Sequence, residues 1–345
     1  MNQSGKSKTK IIEERIGTGV GVENPLVSVV IPVFNAAEFI AETLNSVLAQ
    51  SFKDHEIVVV NDGSPDTEKL EQVLDPYFDR IVYITQENNG VAAARNTGIR
   101  NSRGEYLAFL DGDDIWYPNY LKQQLNLLEE KRCDLVYSDA LLFYRVSRDD
   151  EAFSERAPSS EKVSTESLLS ATANILTSGT LVRKVRVLEC GMFDEELPRI
   201  GTEDFDLWFR LARSGTRIER NEKILLKYRV RKDSLSGGSL KIAERDVAVI
   251  ELTEEKYELT ESEASAAKER KALAKAFLSL ERAKGSLSRE NFREALEHFR
   301  DANSYYKTIK LKAVIAALLV SPRSMFWLFK MTKPEEFAET LQIET

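Results

Sequence analysis

From Val27 to Phe34 the chain reads VSVVIPVF, β-branched and almost without a polar break. That is the pattern of a strand buried on both faces of a parallel sheet. Between about Ala37 and Gln50 the period changes, and Phe39, Ile40, Leu44, Val47 and Leu48 fall at helical spacing. The cycle then repeats. Ile57–Val60 is a second buried strand, running into the turn-forming Asn, Asp, Gly and Ser of HEIVVVNDGS. A helix is expected around 66–78, a short strand at 81–85 (IVYIT), a helix around 90–100 and a strand at 106–110 (YLAFL). Strands alternating with helices over short connections predict a doubly wound α/β sheet, which binds ligands beyond the carboxyl ends of its strands. Asn35, Asp62 and Asp111 each fall just past such an end.

The pattern is less regular from 116 to 238, where a polar insertion covers 147–166 and a second acidic and aromatic cluster, GTEDFDLWFRLARSG, covers 201–215. From about 240 the chain turns to Ala, Leu, Lys and Glu with helical periodicity. NFREALEHFRDANSYY at 291–306 resembles one helix pair of a tetratricopeptide array, but a single copy does not make a repeat. The predicted division is a flexible N-terminal segment over 1–25, an α/β domain over 26–238 and a helical C-terminal region over 239–345.

Composition narrows the classes. A chain of 345 residues with 42% hydrophobic content has ample material for a core. A net charge of −8 argues against nucleic acid as a partner. Two cysteines, Cys133 and Cys190, allow at most one bridge and point to a reducing compartment. The first 25 residues hold no apolar stretch suited to a secretion signal, and no run approaches the roughly 20 apolar residues of a membrane span. The expected location is cytoplasmic.

The candidate chemistry starts at FLDGDD, residues 109–114. Carboxylates at i and i+2 on a turn can converge on a hard divalent cation, which is commonly completed by substrate phosphates. Asp111 and Asp113 fit that demand, with Gly112 permitting the turn and Asp114 as an additional or outer ligand; equally, Asp and Gly are common in turns after strands. Asp62 could accept from a base N–H or a ribose hydroxyl. Arg95, on a predicted helix between the two acidic turns, could face solvent or meet a diphosphate.

At this point the sequence resembles the family 2 glycosyltransferases, GT-A-fold enzymes that use nucleotide-activated sugars. The resemblance spans roughly 26–238 and is carried, in order, by VSVVIPVFNAAEFIAETLNSVLAQ, EIVVVNDGSPD, NNGVAAARNTGI, YLAFLDGDDIWYP, CGMFDEEL and TEDFDLWFRLARSG. It implies a GT-A type, Rossmann-like mixed sheet flanked by helices, with an α-helical appendix. It further implies that Pro32, Phe34 and Asn35 line the nucleotide site, that Asp62 contacts uracil or its ribose, and that Arg95 lies near the nucleotide. The DGDD turn corresponds to the family's Asp-x-Asp element: Asp113 is the expected ligand of Mn²⁺ or Mg²⁺, Asp111 holds ribose or metal, and the choice between Asp113 and Asp114 stays open. A bound cation stabilises charge developing on the departing diphosphate. An inverting transfer also needs a base for the acceptor hydroxyl. By resemblance this is Asp204, beside Glu203; the competing reading is a helix capped by Thr202, with acids favoured in its first turn by the dipole. Trp208 could stack on a sugar or belong to the core.

Two further segments follow from the resemblance. ILTSGTLVR makes Ser178 and Gly179 candidates for the sugar and acceptor side, against a plain turn and strand. YRVRKDSLSGG resembles a closing loop that often carries His near position 231; Arg stands there instead, leaving Arg229 or Arg231 to neutralise diphosphate. From 302 to 334 six basic residues and no acidic one are interleaved with aromatics and an apolar stripe. This can be a peripheral contact with the inner face of a membrane or a docked helix with its lysines in solvent. The expected function is transfer of a sugar, from a UDP-sugar as the expected donor, to a glycan or lipid-linked acceptor. Its rivals are a nucleotidyltransferase, for which PVFNAAEF lacks a basic Gly-rich loop, and a non-catalytic nucleotide- or glycan-binding scaffold whose helical tail recruits partners.

Overall fold

The computed structural model describes residues 10–16, 24–144, 151–157, 159, 162–231 and 238–334. The chain divides into two compact units, residues 1–230 and 231–345. In the first, the predicted alternation is present: β2 (Val27–Val33), α1 (Ile40–Leu48), β3 (His55–Asp62), α2 (Thr67–Leu74), β4 (Val82–Gln86), α3 (Val91–Arg100) and β5 (Tyr106–Phe109). β2, β3, β4 and β5 pair in parallel. All seven residues of β2 are buried, as its unbroken apolar run requires. Each buried Val, Ile or Leu contributes about 1.5–3 kcal/mol relative to exposure.

Before these comes β1 (Ile11–Ile16), antiparallel to β4. This strand lies within the segment 1–25 expected to be flexible, and it covers what would otherwise be an edge of β4 with one row of backbone groups unpaired; residues 1–9 and 17–23 lie outside the described residues. The irregular stretch after 116 supplies the other half of the sheet: β6 (Ile115–Trp116), α4 (Tyr120–Lys131), β7 (Leu135–Tyr144), β8 (Glu151–Ala152), α5 (Phe153–Arg156), α6 (Thr165–Leu169), β9 (Thr180–Arg183), α7 (Lys184–Glu189), α8 (Glu203–Arg213) and β10 (Ile218–Val230). The sheet order is β1-β4-β3-β2-β5-β9-β7-β10-β6, with β8 on β7. β9 runs antiparallel between β5 and β7, so the sheet is mixed. Part of the polar insertion at 147–166 lies outside the described residues.

The second unit is helical: α9 (Ser239–Lys256), α10 (Glu261–Ser288), α11 (Phe292–Tyr306), α12 (Ile309–Val320) and α13 (Pro322–Thr332). Thr260 and Glu263 form a capping box at the start of α10. Ala243 and Val247 of α9 meet Ala274 and Leu278 of α10, while α10 to α13 share a second apolar cluster. Among the described residues no helix is long and apolar enough to cross a membrane.

Candidate active site

Asp62 ends β3, and its carboxylate faces the loop that leads into α3. Oδ1 accepts from Gln86 Nε2 (2.7 Å) and the Asn89 N–H (3.0 Å), and Oδ2 accepts from the Gly90 N–H (2.8 Å). Burial raises its pKa from the usual carboxylate range, and these donors oppose the shift. The Phe34–Asn35 loop after β2 is held from the neighbouring turn: the Asn35 N–H donates to Ser64 Oγ (2.7 Å) and the Ala37 N–H to Asp66 Oδ2 (2.9 Å). This leaves Phe34 exposed at the carboxyl edge of the sheet. Pro32 is buried within β2, and a Cβ on Gly112 would stand 3.2 Å from its carbonyl oxygen, so the acidic turn lies directly on the strand.

In that turn the acids point different ways. Asp111, about one-third exposed, accepts from Arg95 Nη2 at 2.8 Å, and its N–H donates to Ser178 Oγ at 3.1 Å. Asp113 is partly exposed. Asp114 is fully buried; its Oδ1 accepts from the Arg229 N–H (2.8 Å), and burial together with the charges of Asp113 and Asp111 pushes its pKa well up. Asp114 is thus held inside the turn through Oδ1 and is not exposed as Asp111 and Asp113 are. Asp111 and Asp113 remain hard oxygen donors on an open turn and fit a divalent cation completed by phosphate oxygens. Among the described residues no three His, Cys, Asp or Glu side chains cluster as a metal site.

Glu203 begins α8 and is buried, with its Oε1 accepting from Arg95 Nη1 at 2.8 Å. Burial, then the charge of Asp204, raises its pKa; Arg95 opposes this. Burial works against the Arg95 cation, but Asp111 and Glu203 more than offset it and its pKa is raised. Its guanidinium also lies 5.4 Å from the centre of the Phe193 ring. Arg95 therefore joins the two acidic clusters. Asp204, the next residue, is only partly buried: Oδ1 accepts from the Phe205 N–H (2.7 Å) and Oδ2 from Thr177 Oγ1 (3.3 Å). Thr202 makes no side-chain cap bond.

Several expectations change. Trp208 is not a sugar platform: it is buried and packs on Phe109 and Phe193, because the apolar stripe of α8 faces the sheet. Ser178 and Gly179 are buried beneath the turn, where the Ser178 carbonyl accepts from Trp116 Nε1 and a Cβ on Gly179 would stand 2.9 Å from the Ser138 carbonyl oxygen. Arg229 is tied to the protein, donating to the Asp113 carbonyl (2.8 Å) and Glu42 Oε2 (2.6 Å) and lying between the rings of Phe39 and Phe143. Arg231 is the first residue of the second unit, and 232–237 of the expected closing loop lie outside the described residues. The sequence reading overlooked Ser64 and Asp66, which were visible within NDGSPD. It also overlooked Thr177 and Arg199, which reaches Asn88 (3.1 Å) beside Gly90; Asn96, on the same predicted helix as Arg95, bonds both backbone groups of Phe193 through its amide (2.8 and 3.0 Å).

The sheet and its acids at the carboxyl edge define a GT-A type glycosyltransferase fold, and solved structures share it. The mannosyltransferase PcManGT from Pyrobaculum calidifontis, in complex with GDP-Man and Mn²⁺, matches with a TM-score of 0.61 and 16% identity over 94% of this chain and 87% of that one. S. aureus TarS 1-349 in complex with UDP-GlcNAc matches with a TM-score of 0.52 and 17% identity over 90% and 91%. The family model for glycosyl transferase family 2 matches residues 28–186. TuaG of Bacillus subtilis (strain 168), whose name assigns it to teichuronic acid biosynthesis, is 30% identical over 224 residues, 64% of this chain and 85% of that protein. An uncharacterized glycosyltransferase of Rickettsia felis is 36% identical over 248 residues, 67% of this chain but 39% of that protein. The chain belongs to glycosyltransferase family 2. It spans 31–40% of the length of the Rickettsia felis, conorii and bellii relatives it matches.

Proposed function

We propose that this glycosyltransferase is an inverting enzyme that moves a sugar from a UDP-sugar to a hydroxyl of a glycan or lipid-linked acceptor, in cell-surface polysaccharide or glycoconjugate synthesis. The observation that carries this reading is the Arg95 bridge. It ties Asp111 of the turn to Glu203 of the helix, and the partly exposed Asp113 and Asp204 stand next in sequence to these clusters' buried acids, Asp114 and Glu203, which supports giving these two the outward roles. In this reading Asp62 and Phe34 receive the nucleotide base, and Asp113 with Asp111 would hold Mn²⁺ or Mg²⁺. When bound, the cation neutralises charge on the leaving group. Asp204 takes the acceptor hydroxyl's proton as the new oxygen–anomeric carbon bond forms on one face and the bond to diphosphate breaks on the other. Glu203, paired to a buried Arg, positions and does not accept that proton. The catalytic domain covers 26–238, and the enzyme works in the cytoplasm on an acceptor at the inner face of the membrane.

The UDP, UDP-GlcNAc and Mn²⁺ in the complexes of the fold relatives support the donor and cation classes. Calorimetric titration of UDP with and without Mn²⁺ tests the site. Metal should strengthen binding in the native chain and cease to do so in Asp113→Asn. Equal binding in both conditions by the native chain would remove the metal role.

A further inference from the structure

The last two helices of the second unit carry two apolar faces each. On α12 Val314, Ile315 and Leu318 turn inward, and on α13 Met325, Phe326 and Phe329 do, onto Leu287 and Phe299 of α10 and α11. That contact accounts for the single stripe a docked helix needs. The other sides are apolar as well: Ile309 is 85% and Val320 86% exposed on α12, and Trp327 is 57% exposed on α13 beside exposed Leu328 and Met331. Ile309, Ala316 and Val320, spaced i, i+7 and i+11, share one side of α12.

Charge identifies what such a face fits. Between Asp301 and Glu335 stand Lys307, Lys310, Lys312, Arg323, Lys330 and Lys333 with no acid among them, in a chain of net charge −8, and all six are exposed. Lys330 lies over the Trp327 ring at 5.2 Å. A second copy of this face would bring like charges together, and no described helix is suited to crossing a membrane. We propose that the outer face of α12–α13 is a peripheral contact for an anionic lipid surface. Its apolar side chains enter the boundary between headgroups and acyl chains, and its cations meet lipid phosphates.

Tryptophan fluorescence reads this directly, because Trp116 and Trp208 are both buried and Trp327 alone of the three is exposed. Vesicles of equal phosphatidylglycerol and phosphatidylcholine should shift the emission of the full chain to the blue and sediment it, and salt should reverse both. Lys310→Gln and Lys312→Gln should each weaken binding about fivefold. Val320→Ser with Leu328→Ser should abolish the shift with an unchanged circular dichroism spectrum, since both side chains are exposed. The proposal is overturned by equal binding to pure phosphatidylcholine, by binding that survives these substitutions, or by no binding at all, the result expected if the face serves an acidic protein. UDP binding is untouched by any of these outcomes, so the transferase reading is tested separately.

Discussion

The two acidic clusters look alike in sequence, DGDD at 111–114 and EDFD at 203–206, yet they compensate their buried charges differently. On the helix each buried acid has an arginine: Glu203 takes Arg95, and Asp206 takes Arg210 at 2.6 Å. On the turn the buried acid, Asp114, has a backbone N–H and two carboxylate neighbours, and burial with those neighbours raises its pKa. Asp206 finds its arginine one turn along its own helix and Glu203 finds one on α3, whereas the tight turn offers Asp114 a main-chain group. In both clusters a partly exposed acid, Asp113 or Asp204, sits beside one that has been turned inward. Burial is thus set by orientation and not by membership of a motif.

Asp204→Asn breaks the comparison at its outward member. Turnover of a UDP-sugar should fall by about 10²- to 10⁴-fold, the usual worth of a general base. UDP binding measured by calorimetry should persist. An unchanged transfer rate would show that another group takes the proton.

Much of this was legible beforehand. The continuous apolar runs named β2, β3 and β5, and the turn residues after them placed Asn35, Asp62 and Asp111 at the carboxyl edge. What the sequence could not give was partnership across long separations. Arg95 meets Asp111 and Glu203, 16 and 108 residues away, and the Arg229 N–H meets Asp114 across 115 residues. Nor could it separate Asp113 from Asp114, since a turn fixes no period for its side chains. β10 escaped detection because IERNEKILLKYRV mixes charged and apolar positions without strict alternation, and its pairing with β7 is interrupted at 221–226. Of the two readings of Trp208, sugar platform or core, the core one holds, because a helix that begins at a site still buries one face against the sheet.

Arg95→Met removes the cation between the clusters and leaves buried Glu203 and part-buried Asp111 uncompensated. Breaking such a pair costs about 3–5 kcal/mol. Denaturant unfolding should report that loss, and a midpoint equal to the native one would mean that the bridge is incidental. A smaller effect is expected at Asp62, whose charge is met by three hydrogen-bond donors, with the charge of Arg199 as the smallest contribution. In Asp62→Asn an amide N–H must face one of those donors, so about 1–3 kcal/mol should be lost. No loss would show that the Gly90 loop holds itself.

The smallest effect returns to Glu203 and works through pH. A carboxyl whose folded pKa is raised contributes stability that is complete below its unfolded pKa and is lost as pH rises through the folded value. Glu203 is such a group, through burial first and then the charge of Asp204. Asp204→Asn removes that charge while its amide can still accept from the Phe205 N–H and donate to Thr177 Oγ1. The Asp204→Asn variant should therefore match the native chain near pH 4 and become the more stable of the two as pH rises toward 7. Thermal melts across that range measure the difference. A gap that stays constant with pH, or a native chain more stable at neutrality, would show that Asp204 does not strain its neighbour. The helix cluster would then resemble the turn less than its paired acids suggest.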